Sequence, residues 1–537
     1  MTAPGLLLAL TVAAPLALAA VVASGRAGER PLRWLGPAPW PGLLAALLLS
    51  PGASLRLPLL DLTLSLDRPG AILMGGAAVL WSAAGFYASA YMEGDVRGRS
   101  FAAWWLLTLG GSLGVFLAAD LTGFYLLFAV VSLAAWGLVA HEATPASARA
   151  ARIYVALALL GEAALLLGFV MLAAGRGNPL IADAVQGFAQ QPWRGAVVAL
   201  LVLGFGLKMG LLPVHVWLPI AHPAAPTPAS AVLSGVVVKA GVIGLIRFLP
   251  FSAGDPAWGA ALQAIGLVTA FAGVLLGLTQ GRPKTILAYS TVSQMGLVAF
   301  ALGAGLSLAD PGATGAAAGY ALHHMLAKGA LFMAVGLAPL VGLAGRRPFL
   351  LATAFLALGM AGLPLTGGSI AKAVLKPLAG SDAVTALLAL SSAGSAALML
   401  HFTLRLAPQA GTAPRRPVPG GLLAAWLSVA ALSVLAPWAV LGGEGLAPWS
   451  SLAPSKILDA LLPVLLGAAA LWGIRRWGRR LPPVPEGDVV VLAEPLAARL
   501  GRAARSLSSG LDGFVTRWPV AGALMLGLAG GLLAWLL

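Results

Sequence analysis

The chain holds 33 Lys and Arg residues among 537, and only seven are lysine: Lys208, Lys239, Lys284, Lys328, Lys372, Lys376 and Lys456. Four of the seven, Lys208, Lys239, Lys328 and Lys372, fall inside long apolar runs, and Lys376 follows closely. A charged side chain at membrane depth costs about 2.5 kcal/mol or more. Arginine stays protonated at any accessible pH, whereas desolvation lowers a lysine's pKa by as much as about 3–5 pH units. Lysine is therefore the basic residue that can gain and lose a proton in an apolar interior. One intramembrane lysine reads equally well as a snorkelling residue or half of an ion pair. Four on separate helices, with few acids to neutralise them, read better as a proton relay. Glu162, in Leu-Gly-Glu-Ala, is the best candidate counter-charge. Asp67 and Asp120 stand where apolar runs begin.

Histidine adds groups with an ordinary pKa near 6.5. His323 and His324 precede Lys328 by five and four residues, so on a helix His324 and Lys328 share a face. His215 lies seven residues after Lys208, on the same face if that helix is unbroken. His401 belongs to a later apolar run. The expected proton-carrying set is Lys208, Lys239, Lys328, Lys372, Glu162, His215, His323, His324 and His401.

Elements of membrane-spanning length must position these residues. Hydrophobic residues make up 59% of the chain and charged residues 9%, against about 25% charged in soluble domains. That excludes a soluble enzyme and a disordered chain. With no cysteine, disulfides, thiolate zinc sites, iron–sulfur ligation and a cysteine nucleophile are excluded as well. An all-α polytopic membrane protein remains. Sixteen apolar runs (14–16 allowing for the weakest) predict helices near 4–22, 40–55, 70–92, 101–118, 121–140, 153–174, 195–218, 228–249, 257–279, 285–304, 314–342, 349–378, 384–406, 421–441, 457–474 and 518–537. The second is short and rich in Pro and Gly. The first reads as a retained span, not a cleaved leader.

The formal charge of +15 sits in loops, so it reports topology and not a nucleic-acid partner. Loops after odd-numbered spans carry 21 arginines, and those on the other side carry five, Arg56, Arg68, Arg176, Arg194 and Arg247. This bias places both termini outside the cytoplasm. The seventh run is broken by Pro213 and Pro219 just after Lys208, and the twelfth by Pro364, Gly367 and Gly368 just before Lys372. Breaks at membrane depth are tolerated only against protein or a wet cavity. Five spans separate the two, so they run in opposite directions, as in inverted five-helix repeats. The expected organisation is 1–100, three N-terminal helices; 101–250 and 251–410, the two repeats; 411–474, two further helices; 475–517, a basic, amphipathic cytoplasmic linker or partner-docking segment; and 518–537, a last helix.

One long motif is specific. It runs from Lys208-Met209-Gly210-Leu211-Leu212-Pro213 through His215-Val216-Trp217-Leu218-Pro219, then His222-Pro223-Ala224-Ala225-Pro226-Thr227, to Ser234 and Lys239-Ala240-Gly241. With Ala288-Tyr289-Ser290-Thr291-Val292-Ser293-Gln294-Met295-Gly296, His324…Lys328…Leu331-Phe332 and the weaker Gly367-Gly368…Lys372, it resembles one family over residues 60–410. These are the proton-translocating, antiporter-like membrane subunits of respiratory complex I, Mrp-type cation/proton antiporters and energy-converting membrane hydrogenases. The resemblance implies inverted repeats, broken seventh and twelfth helices and a central ionisable row. Lys208 stands for the first half-channel, Lys239 and Lys328 for its connection, and Lys372 for the second. It also implies a multi-subunit assembly in the cytoplasmic (inner) membrane, a subunit of a redox-driven translocase without redox chemistry in this chain, and no cofactor here, with iron–sulfur or other redox centres in partners. The ion would be H⁺, with Na⁺ or K⁺ as an antiporter's alternative. The chain departs from the family at one point. The glutamate usual three residues before a Ser-Leu pair is Ala129, ahead of Ser132-Leu133. Glu162 is the substitute at hand. If nothing substitutes, a structural subunit with an impaired channel is the remaining reading.

Overall fold

The computed structural model describes residues 2–26, 28, 30–58, 61–173, 177–188, 190–412, 418–442, 452–477, 484–486, 490–491 and 494. The expected last helix at 518–537 and nearly all of the expected linker lie outside the described residues.

Eleven described helices are long and apolar enough to cross a membrane, as expected of a multi-pass protein. In chain order they begin with α1 (Ala3–Ala23), followed by the short α2 (Trp40–Leu48). Next come α3 (Arg68–Tyr91), α4 (Gly98–Val115), α5 (Leu121–Ala140), α6 (Pro145–Ala173) and a second short helix, α7 (Ile181–Phe188). The seventh apolar run folds as α8 (Arg194–Met209) and α9 (Trp217–Ala224), and the eighth as α10 (Thr227–Val232), a π-turn (Leu233–Val237) and α11 (Lys239–Phe248). Then follow α12 (Pro256–Leu278), α13 (Pro283–Leu308) and α14 (Gly312–Leu337). The twelfth run is split into α15 (Leu343–Gly359) and α16 (Gly367–Ala373), before α17 (Asp382–Leu406), α18 (Gly420–Leu441) and α19 (Pro454–Trp477).

One expectation is corrected. The run at 40–55 is not a spanning helix: α2 ends at Leu48, and Ser54–Leu57 pairs antiparallel with Leu62–Ser65, Ser54 opposite Ser65. Pro51-Gly52 stops the helix, and alternating Leu and polar residues then suit a strand. Among the described residues, the regular structure is thus helical apart from one small hairpin. The seventh run is interrupted between Lys208 and His215, as expected from Pro213. Gly210 closes α8 in the left-handed region at φ 82°, and a Cβ there would meet the Leu218 side chain. His215 therefore does not share a helical face with Lys208.

Helix starts follow local chemistry. Asp67, Asp120, Asp255 and Ser381 accept backbone N–H bonds from the third residue on, satisfying donors that the helix itself leaves free. Helices α12 and α13 meet along a glycine seam of seven-residue period. A Cβ on Gly266 would lie 2.5 Å from the Phe300 nitrogen and 2.6 Å from the Gly296 carbonyl oxygen. Gly259 and Gly303 make the same close approach one step along. Small residues at such spacing let two backbones touch in an apolar solvent. The apolar window of Thr227–Phe248 is 100% buried and that of α19 only 17%, so the lysine-bearing helices α11 and α14 form the centre.

Candidate functional site

The π-turn before α11 sets the middle of the site. A π-turn shifts backbone hydrogen bonding by one residue and leaves carbonyls available. Lys239 Nζ donates to the carbonyl oxygen of Ser234 at 3.0 Å and lies 2.5 Å from His324 Nδ1. The Ser234 hydroxyl meets Thr291 Oγ1 at 2.7 Å, and Thr291 donates to the Leu287 carbonyl at 3.0 Å. That same carbonyl accepts Lys328 Nζ at 2.9 Å. Two fully buried lysines are thus joined by a short run of hydroxyls and carbonyls from the π-turn and α13. His324 faces Lys239, not Lys328 as its spacing suggested, and its Nε2 has no hydrogen-bond partner.

Lys208 lies in the last turn of α8, 3% exposed. Its Nζ sits 5.3 Å from the Phe128 ring centroid and 5.6 Å from that of Tyr154. Glu162, one residue beyond Gly161, comes near because α6 and α8 cross closely: a Cβ on Gly204 would lie 2.9 Å from the Gly161 carbonyl oxygen. Three acids are buried among the described residues. Asp120 caps α5 and also takes the Thr63 N–H and the Asn178 amide, and Asp255 caps α12 and faces Arg194 at 3.5 Å. Glu162 caps no helix, and its polar neighbours are Lys208 and the Ser132 hydroxyl. His215, buried in the loop between α8 and α9, completes this end.

Lys372 marks the other break. Its Nζ donates to Ser392 Oγ at 2.7 Å, beside a cavity of about 660 Å³ that Lys376, Asp459 and Trp438 also line. His323 is buried against Gly367 and Gly368: a Cβ on either would come within 3.0 Å of its ring. The His323 ring also meets the Ser433 backbone on α18. From His324, one helical turn back on the same face of α14, Tyr320 donates to Gln294 Oε1 at 2.5 Å, and Gln294 Nε2 donates to Ser395 Oγ at 3.0 Å. Ser395 lies three residues from Ser392 on α17. A buried polar path therefore leads from the central pair towards Lys372. Among the described residues, no group of three or more His, Asp or Glu could hold a metal ion.

Residues 118–397, more than half of the chain, match the family described as NADH:quinone oxidoreductase/Mrp antiporter, TM. The chain belongs to this family. It is 33% identical over 403 residues to NADH-quinone oxidoreductase subunit N of Desulforudis audaxviator, covering 69% of this chain and 79% of that one. It is 34% identical over 296 residues to hydrogenase-4 component B of Escherichia coli, covering 51% and 43%. The chain spans about half the length, or less, of several curated relatives it matches. Its fold matches a chain of the Mrp complex from a Dietzia species with a TM-score of 0.68 at 23% identity, over 88% of this chain and 100% of that chain. Membrane subunits of multi-subunit complexes are thus its relatives.

The structure brings together Lys239, His324 and Lys328, and separately Lys208 and Glu162, and Lys372 and His323. His401 stands apart from these groups: its Nε2 contacts the Gln280 carbonyl at 2.8 Å, beyond the end of α12. Asp67 pairs with Arg247 at 2.9 Å and caps α3, so it is structural. The residues overlooked are polar but not charged, or seemed to be loop cations. Lys284 reads as one, yet its Nζ reaches back to the Ala225 carbonyl at 2.7 Å. His222 is fully buried, its ring 4.9 Å from Phe332, with neither nitrogen partnered. Its place in an apolar, proline-rich helix was the available signal. Helical spacing from His324 points to Tyr320, whereas Gln294 and Ser395 lie on α13 and α17 and carry no such signal.

Proposed function

We propose that this chain is a proton-translocating membrane subunit of a complex I-related assembly in the cytoplasmic membrane. Protons move along a row from Lys208 and Glu162, through Lys239, His324 and Lys328, to Lys372. The observation that carries this reading is the burial of Lys239 and Lys328 with no acid beside either among the described residues. A structural ion pair would bring a carboxylate; hydroxyls, carbonyls and an imidazole suit groups that exchange protons. In this reading α4 to α11 and α12 to α17 are inverted repeats, each interrupted once, by 210–216 and by 360–366. Both termini lie outside the cytoplasm, and redox centres belong to partner subunits.

The match to the whole length of a chain of an Mrp complex favours a second reading, a subunit of a Na⁺(K⁺)/H⁺ antiporter. The test is purification with native partners and reconstitution into vesicles holding a pH dye. Lys328→Met should reduce proton movement to background while the complex assembles. Unchanged movement would remove the proposal, and a strict requirement for Na⁺ or K⁺ would select the second reading. Iron–sulfur or hydrogenase subunits among the partners would select the first.

A further inference from the structure

Ala129 leaves the first half-channel without a carboxylate on α5, but Lys208 is not surrounded by aliphatic residues. Two ring faces lie within about 6 Å of its nitrogen, the range in which an aromatic quadrupole attracts a cation. Both rings are fixed. The Tyr154 hydroxyl donates to the Ser132 carbonyl at 2.7 Å, and its ring takes the edge of Trp217 at 5.2 Å. Phe128 stacks on Phe124 at 5.9 Å and meets Phe205 edge-on at 5.6 Å. Trp217 Nε1 donates to the Leu207 carbonyl at 2.8 Å, which ties the aromatic group to the residue before Lys208. The C-terminal end of a helix also favours a cation, and Lys208 is in the last turn of α8.

We infer that Phe128 and Tyr154 form an aromatic cage that holds the Lys208 ammonium in place of the missing α5 carboxylate, with Glu162 as the acid that exchanges a proton with it. This deepens the proton-translocation reading and rests on it. The exchange converts an ammonium and a carboxylate into an amine and a carboxylic acid, with one proton moved and no other change. A ring face attracts the ammonium and not the amine, so the cage favours the protonated lysine without fixing its counter-charge beside it. Glu162, beside the Ser132 hydroxyl and Lys208, is the acid placed to take the proton. Among the elements packed on α8, α6 presents Glu162 and Tyr154 to this site. On α11, Lys239 is engaged by Ser234 and His324, and Arg247 by Asp67. Helix α5 offers no charge here, and His215 lies in the loop that follows α8.

The test uses the purified complex in vesicles and the pH profile of proton movement. Desolvated cation–π attraction favours the ammonium by roughly 30-fold per ring. Phe128→Leu or Tyr154→Leu should therefore move the alkaline limb about 1.5 pH units towards acid. Phe128→Trp and Tyr154→Phe, which keep the rings, should leave it in place, and Phe128→Leu with Ala129→Glu should restore it. Where a Leu variant does not assemble, fluorinated phenylalanines at position 128 weaken the ring's quadrupole with little change of shape. The limb should then move stepwise with each added fluorine. A limb unmoved by ring loss and by fluorination overturns the cage, provided that Lys208→Met abolishes movement. If Lys208→Met moves protons like the wild type, the translocation reading itself fails.

Discussion

Removal of the His324 ring tests the centre of the site most directly. Lys239 has two partners, the Ser234 carbonyl at 3.0 Å and His324 Nδ1 at 2.5 Å, and it is fully buried. His324→Leu removes one and supplies no acceptor. A hydrogen bond to a charged group contributes about 1.5–3 kcal/mol, and a buried donor left without it forfeits at least that. At 1.36 kcal/mol per tenfold, the protonated state of Lys239 falls by roughly 10- to 150-fold, and proton movement through the centre falls with it. Lys328 keeps its own bond to the Leu287 carbonyl, so the loss is specific to Lys239. His324→Gln, which can still accept a hydrogen bond, should recover most of the positioning but not a titrating ring. The assay is initial rate in dye-loaded vesicles at equal protein, with detergent-stable assembly as the control. A His324→Leu rate within twofold of wild type, in an assembled complex, would refute the reasoning.

Gly266→Ala should destabilise the protein by about 1–3 kcal/mol, because a Cβ there meets the α13 backbone at Gly296 and Phe300, which cannot yield; Gly281→Ala, at a position with nothing within 4 Å, is the neutral comparison in a thermal melt. Outside the spans, Asp95 and His141 Nε2 lie 3.1 Å apart. Burial alone would push the Asp95 carboxyl up, but the His141 hydrogen bond, the Arg97 N–H and the nearby positive charges hold it below the usual carboxylate range. A lowered carboxyl pKa stabilises the fold fully above the unfolded value, about 3.9, and that contribution is lost as pH falls through the folded value. Melting curves against pH should therefore show wild type ahead of Asp95→Asn near neutrality, with the gap closing on the acid side; a constant gap would contradict the assignment.

Much of the architecture is legible along the chain because a membrane allows so few solutions. A run such as 257–279 must close its own backbone hydrogen bonds, so it becomes α12 with ends shifted by one residue. Pro213 and Pro364 likewise mark both interruptions. The run at 40–55 failed because hydropathy over a short window cannot tell a helix followed by a hairpin from a weak span. The lysines announced themselves through the cost of placing them there. Their partners did not, because Ser234, Thr291, Gln294 and Tyr320 are ordinary residues until the fold links them into buried hydrogen-bonded runs.

Composition and spacing alone determined that this is a multi-pass helical protein with basic residues inside apolar helices, since burying each carries a free-energy cost that only a use or a partner can offset. Tertiary structure decided which groups meet. Periodicity along α14 paired His324 with Lys328, yet the ring turns to Lys239 on α11, 85 residues away. Ala129 suggested an empty site, yet the rings of α5 and α6 converge on Lys208. Helical spacing records only neighbours on one helix, whereas proton exchange depends on distances between helices, and the packing of their glycines and aromatic rings sets those distances.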